Sequence, residues 1–294
     1  MGRLETPSPT KIWHTDTYAT INPTRPELSV TGKTVVITGG GSGGIGGGIA
    51  RSFAKAGASR IALLGRREAP LQETKEQIAK ISESQVLVVP ADMADDASVK
   101  NAFETIRNAF GAPNILVCNA VHGNLEGKVQ DLDLDSWFAV FQTNIRGTVG
   151  VVKAFLGVAA PSPTLVDITS GIATLPPPAF PKFSSYAASK IATTRVFSYL
   201  AAELPDEAHV ISIHPGLVLT ELSADLEGKV VFDTMDLAAD FTVWAVSDEA
   251  RFLKGKVVWS SWDVDELKKN AADIQNSGLF TLGIEGWPFK QMPW

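Results

Sequence analysis

The sequence predicts an α/β fold, a doubly wound, mainly parallel sheet held between two layers of helices. Three observations carry that expectation. From residue 33 onward, short β-branched runs alternate with longer amphipathic segments, the pattern of repeated βαβ units. Eight glycines fill the ten positions from Gly39 to Gly48, directly after the first of those runs. No internal repeat or low-complexity linker divides the chain, so one domain accommodates it. Right-handed crossovers between parallel strands then put helices on both faces of the sheet.

Taken in order, residues 1–32 hold prolines among polar residues with little periodicity, and read as an extended arm anchored by Trp13 and Tyr18. The run TVVIT opens the first unit and a helix over 45–56 closes it. RIALL with a helix over 71–81, and QVLVV with one over 98–110, repeat the arrangement, and ILVCN is a fourth strand. Further strands are expected at 165–169, 209–214 and 256–259, and further helices over 135–156 and 186–203. The catalytic domain is expected over 33–262, with a helix over 264–275 and a Trp-rich tail, within 263–294, packed on the same domain. That tail has three possible uses: covering the active site, extending an interface, or shielding the sheet edge.

Composition excludes several classes. Apolar residues make up 45% of the 294 positions and charged ones 20%, ordinary for a soluble globular chain. A net charge of -6 argues against a nucleic-acid partner, whose footprint is a basic excess. Cys118 is the only cysteine, so no intramolecular disulfide can form, and four histidines without ligand spacing give no support to a metal site. The opening residues lack the apolar core of a signal peptide and no run of about 18 apolar residues follows, so a cytoplasmic protein with no membrane partner is expected. Gly2 and Thr6 satisfy a myristoylation pattern loose enough to arise by chance.

In a βαβ unit the turn after the first strand gathers backbone N–H groups and a helix N-terminus at one point, which suits a pyrophosphate, and glycine lets the backbone approach it. The glycine stretch lies in that context, after a predicted strand and before a predicted helix, which is what distinguishes it from a chance match. Specificity at the adenosine end is set at the tip of the second strand, where a carboxylate selects NAD and an arginine accommodates the 2′-phosphate of NADP. Here the strand runs into Gly65, Arg66 and Arg67. NADP(H) is therefore expected over NAD(H), with Arg66 on the phosphate; solvated surface charge, partly neutralised by Glu68, is the alternative.

Tyr186 and Lys190 stand four apart on a predicted helix and share a face. A tyrosine is a poor base near neutrality, but a neighbouring ammonium favours its phenolate. Such a pair is common on amphipathic helices, so context decides.

That context is the set TGGGSGGIG, Asp92 in ADM, CNA at 118–120, Asn144 in TNIRG, Ser170 in DITSG, and YAASK followed by HPGLVLT. With these motifs in this order over residues 33–260, the chain resembles the short-chain dehydrogenase/reductase family, in its single-domain form of an extended Rossmann fold. The resemblance implies that Tyr186 is the general acid for carbonyl reduction and the base for alcohol oxidation, and that Lys190 holds the nicotinamide ribose. It implies that Ser170 hydrogen-bonds the reacting carbonyl and that Asn144 positions a water linking Lys190 to solvent. By the same resemblance Gly39, Ser42, Gly44, Ile45 and Gly46 cradle the pyrophosphate, Asp92 and Met93 meet the adenine, and Asn119 and Ala120 lie along the adenine ribose. Pro215, Gly216, Val218 and Thr220 would border the nicotinamide carboxamide. Ordinary roles compete: Ser170 as a strand-end serine, Asn144 bonding its own backbone, Asp92 as a helix cap, His214 as part of a turn and His122 as a loop residue.

The chain departs from the family pattern in places. Its glycine loop is one residue longer, which a bulge could absorb or which could move the donors off the pyrophosphate. The spacing from Ser170 to Tyr186 is enlarged in LPPPAFPKF, and Cys118 and Val121 replace motif residues. The proline- and phenylalanine-rich stretch 172–183 and the lid-like segment after Thr220 suggest an apolar pocket, hence a hydrophobic ketone or secondary alcohol such as a cyclic, aromatic or polyketide-like metabolite. The resemblance also implies a homodimer or homotetramer. A non-redox isomerase, dehydratase or cyclase using the same tyrosine is the alternative.

Overall fold

The computed structural model describes residues 8–123, 127–179 and 181–283. Gly2, Thr6, Phe180 and the Trp-rich end over 284–294 lie outside the described residues. The chain runs β1 (Thr34–Thr38), α1 (Ile45–Lys55), β2 (Arg60–Gly65), α2 (Glu68–Ala79), β3 (Gln85–Pro90), α3 (Asp96–Phe110) and β4 (Ile115–Cys118). It continues through α4 (Leu134–Phe141), α5 (Thr148–Leu156), β5 (Thr164–Ile168), α6 (Ser184–Glu203), β6 (His209–His214), α7 (Met235–Ala245), β7 (Val257–Trp259), α8 (Val264–Lys269) and α9 (Ala271–Gln275).

Among the described residues seven strands form one parallel sheet in the order β3-β2-β1-β4-β5-β6-β7. β1, β4 and β5 are buried along their whole length, as strands covered on both faces must be. Alternate residues serve opposite layers: Val35 and Ile37 enter one apolar core and Val36 the other. The order reverses between β1 and β4, so their C-terminal ends open the crevice in which such folds bind ligands.

The predicted element types hold, and the boundaries differ for local reasons. α2 begins at Glu68, three residues earlier than expected, because Pro70 fits a helix's first turn, where an N–H has no intrahelical partner. The helix expected over 135–156 is two α-segments joined by a π-turn at Gln142–Gly147. The helix expected over 264–275 breaks at Asn270, whose side-chain amide donates to the Glu266 carbonyl at 2.8 Å. The described arm is more than a surface strap: Ile21 and Leu28, on two short 3-10 turns, are buried in the core. At the far edge, the Val257 N–H of β7 donates to the Phe280 carbonyl, so the segment after α9 covers part of the exposed sheet edge. No helix among the described residues is long and apolar enough to cross a membrane.

Candidate active site

The glycine loop is shaped by close approach. A Cβ on Gly46 would stand 2.2 Å from the Gly39 carbonyl oxygen, and one on Gly47 2.6 Å from that of Gly41. Gly39 and Gly43 have φ of +66° and +75°, in the left-handed region that glycine adopts freely. α1 starts at Ile45 despite the extra residue, with Gly44 as an N-cap that has no side-chain cap. The first-turn N–H groups of Ile45 and Gly46 thus carry the positive end of the helix dipole without a capping oxygen, which fits an anionic group.

Ser42 of the glycine loop and Asn119 after β4 both make hydrogen bonds within the fold. Ser42 is drawn toward α2: its N–H donates to the Pro70 carbonyl at 2.9 Å and its hydroxyl donates to the Glu73 carboxylate. Asn119 clamps the loop, its amide donating to the carbonyls of Thr38 and Gly39, each at 3.1 Å. The N–H groups of Asn119 and Ala120 both donate to Thr38 Oγ1, so this threonine ties β4 to the loop. Thr38 was legible as the first residue of the glycine motif, but its hydroxyl role was not.

At the tip of β2, Arg66 is exposed and among the described residues no acid pairs with it. Arg67, the N-cap of α2, reaches Glu221 at 3.0 Å across the crevice. Met93 is buried, and Asp92 Oδ1 accepts from the Ala94 N–H at 2.9 Å. The helix-cap role considered for Asp92 belongs to Asp95, which accepts from the Ala97 N–H.

The chemical residues converge from α4–α5, β5 and α6. Asn144 lies in the π-turn, buried to 2% exposure; its Oδ1 accepts from the His122 N–H at 2.7 Å and its Nδ2 donates to Ser189 Oγ at 3.0 Å. Ser189 Oγ in turn donates to the Tyr186 carbonyl at 2.8 Å. Ser189 escaped the sequence reading; its place one turn beyond Tyr186, on the same helix face, is the signal that marks it. His122 joins the site through its backbone. A π-turn at this point widens the helix and brings the Asn144 amide within reach of α6, a distortion common at functional sites.

Lys190 is buried, donates to the Ile168 carbonyl at 2.6 Å and stands 5.9 Å from the centroid of the Tyr186 ring. Half-buried Tyr186 occupies the first turn of α6. Ser170 follows β5 and caps a short turn, Gly171–Ala173, which packs against α6. Beneath them Asp167 is buried between Thr194 and Ser212; desolvation pushes its carboxyl above the ordinary range, with Lys190 opposing. Burial likewise raises the Cys118 thiol, leaving it inert.

The residues after β6, expected at the nicotinamide carboxamide, form a tight turn. Gly216 has φ +84°, and a Cβ there would meet Asp233 Oδ2 at 2.6 Å. That carboxylate accepts from the Leu217 N–H at 2.9 Å, while Val218 bridges to Asp233. Ser223 Oγ accepts from the Thr220 N–H and donates to the Val218 carbonyl, closing the base of the lid-like segment. Leu222, Leu226 and Val231 of that segment, and Leu219 just before it, are exposed, and Leu222 lies beside Gly123 of the loop after β4. In the proline-rich stretch, Leu175 turns into the core, so part of that loop is wall.

The comparisons agree with this geometry. The model of the short chain dehydrogenase family matches residues 33–230. A short chain dehydrogenase/reductase of Claviceps purpurea is 33% identical over 285 residues, covering 95% of this chain and 94% of that one. Short chain dehydrogenase pigC of Monascus ruber is 35% identical over 274 residues, covering 88% of each. Among solved structures, a short chain dehydrogenase from Burkholderia cenocepacia in complex with NADP superposes with a TM-score of 0.71 at 28% identity, covering 80% of this chain and 99% of that one. The chain belongs to the short-chain dehydrogenase/reductase family, oxidoreductases that bind a nicotinamide cofactor.

Proposed function

We propose that this chain is an NADPH-dependent ketoreductase or alcohol dehydrogenase acting on a hydrophobic ketone or secondary alcohol. The observation that carries the reading is the connected set Asn144, Ser189, Tyr186 and Lys190, with Ser170 on the adjacent turn. A bound nicotinamide supplies hydride to a carbonyl carbon or accepts it from an alcohol. Tyr186 gives its phenolic proton to the carbonyl oxygen during reduction and takes it back during oxidation. Ser170 donates a hydrogen bond to the same oxygen, orienting it and stabilising the charge that develops there. Lys190 provides the ammonium beside Tyr186, and Asn144 fixes α6 through Ser189.

The uncapped start of α1 supports pyrophosphate binding, and Arg66, exposed without an acidic partner among the described residues, supports a 2′-phosphate. Apolar side chains on the lid-like segment support a hydrophobic substrate. Exposed Val149, Ile191 and Tyr199 on α5 and α6 suit a homodimer or homotetramer.

Two measurements test this together. Purified protein titrated with NADPH and NADH is expected to bind NADPH more tightly, with energy transfer from tryptophan to the nicotinamide. Tyr186→Phe is expected to abolish carbonyl reduction while leaving NADPH affinity nearly unchanged. Retained reductase activity would overturn the mechanism, and failure to bind either dinucleotide would favour an isomerase, dehydratase or cyclase.

A further inference from the structure

The hydrogen-bond ladder between β5 and β6 does not stop where the strands end. Its last backbone rung at this edge runs from the Thr169 N–H to the Ile213 carbonyl, at 2.9 Å. The next N–H with that orientation is Gly171, and it donates to Nδ1 of the His214 imidazole, also at 2.9 Å. Ser170 lies between these two bonds. Because the Gly171 N–H belongs to the peptide that begins at Ser170, its direction fixes ψ of Ser170, here 147°, and with it the bearing of the Cα–Cβ bond, while the hydroxyl oxygen accepts from the Ile172 N–H at 3.4 Å.

We infer that His214 is a positioning residue for Ser170, its ring nitrogen supplying the ladder rung that no backbone carbonyl provides. The inference rests on the proposed role of Ser170 at the reacting carbonyl. The imidazole is suited to the task. Burial depresses its pKa to about 3, so the ring is neutral and Nδ1 is an acceptor throughout the working range, with the proton on Nε2. The ring cannot swing away, because it meets the edge of Trp259 at 4.6 Å between centroids, and Trp259 is itself stacked on Trp262 and met edge-on by Trp13 of the arm. Space is equally tight on the other side: a Cβ on Gly171 would stand 3.0 Å from His214 Nε2. The His-Pro pair thus does more than end a strand. It also gives the arm's Trp13 a packed route to the backbone of the site.

Two substitutions separate the acceptor from the ring. Asn places Oδ1 at the position of Nδ1, so His214→Asn keeps the acceptor and loses the ring; His214→Phe keeps the ring and loses the acceptor. With NADPH and a ketone that the native chain reduces, His214→Phe is expected to lower kcat by about 10- to 100-fold with little change in KM for NADPH, the scale of a small misplacement of a reacting group. His214→Asn is expected to keep kcat within a few-fold even at a lower Tm. In a double-mutant cycle, His214→Phe added to Ser170→Ala should cost far less than it does alone, because a merely structural lesion would cost the same in both backgrounds. Amide exchange at Gly171 in the chain without cofactor gives a readout independent of turnover: slow in the native chain and His214→Asn, fast in His214→Phe. Unchanged kcat in His214→Phe, equal losses in both variants, or additivity with Ser170→Ala would overturn the inference. A native chain that shows the slow Gly171 amide but reduces no ketone would instead overturn the proposed function and leave the structural bond standing.

Discussion

Lys190 places its ammonium 2.6 Å from the Ile168 carbonyl oxygen, one residue from the buried carboxyl of Asp167. Asp167 is held by Thr194 and Ser212 and is raised in pKa by desolvation, against which Lys190 acts. A carboxyl whose folded pKa exceeds its unfolded value contributes most below the unfolded value, and stability declines as pH rises through the folded one. Lys190→Met removes the opposing charge, so the folded value of Asp167 rises further and the decline extends to higher pH. The variant is expected to lose reductase activity by at least about 100-fold, as expected when a group of the proton-transfer set is lost. Its Tm deficit relative to the native chain should widen between pH 5 and pH 8. A deficit independent of pH would show that Asp167 does not sense Lys190.

The glycine loop makes a prediction by contrast. Gly46→Ala forces a methyl group to 2.2 Å from the Gly39 carbonyl, backbone against backbone, whereas Gly43 has open space and only a left-handed φ of +75°. Gly46→Ala is expected to abolish dinucleotide binding and lower Tm. Gly43→Ala is expected to cost only about 1–2 kcal/mol, the usual left-handed penalty for a residue with a Cβ, and to leave binding detectable. Calorimetry with and without NADPH checks both, and equal behaviour of the two variants would contradict the geometry.

Arg66 and Arg67 differ in the structure although the sequence sets them side by side. Arg67 is joined to Glu221 of the lid-like segment, with both side chains largely exposed, a pair worth about 0–1 kcal/mol. Arg66→Ala is therefore expected to weaken NADPH by about 10-fold or more, a charge-assisted contact, with little change for NADH. Arg67→Ala should affect the two dinucleotides more evenly. Titration of each variant with both cofactors decides, and equal losses for Arg66→Ala would remove the proposed phosphate contact.

The parallel sheet and the site motifs were legible because period and spacing are local properties. Asn144, Ser170, Tyr186 and Lys190 drew notice because they stand in motifs whose order along the chain carries the family resemblance. What escaped the sequence depends on partners far along the chain. The bonds that tie Asn119 to Gly39 and Ser42 to Glu73 leave no mark in the linear sequence. His214 reads as a turn residue until β5 and β6 are side by side. The π-turn around Asn144 leaves no mark in periodicity over so short a stretch. The arm was the least legible part: its aromatic anchors were visible, but its polar ties lie more than two hundred residues away. Lys11 and Ile12 donate to Glu266, Thr17 to Asp240 and Thr20 to Asp265, at 2.7–2.9 Å.

A further tie of the arm centres on Glu249. One of its oxygens accepts from Arg25 of the arm at 2.7 Å, and the other accepts from the Trp244 indole and the Lys268 ammonium, each at 3.1 Å. Arm, α7 and α8 therefore share one carboxylate, which is about one-fifth exposed. The Arg25 hydrogen bond is the largest of the influences that hold its pKa below the ordinary value. A depressed folded pKa contributes stability above the unfolded value, lost as pH falls through the folded one. Glu249→Gln is expected to cost about 1.5–3 kcal/mol at pH 7, the range for hydrogen bonds to charged groups, and to lower Tm by several degrees. As pH drops below the ordinary carboxylate range the native chain loses the same charge, so the two melting curves should converge. Thermal melts of both proteins from pH 7 to pH 3 measure this. A Tm gap that stays constant across the range would mean that Glu249 holds the arm by shape alone and that its charge contributes nothing.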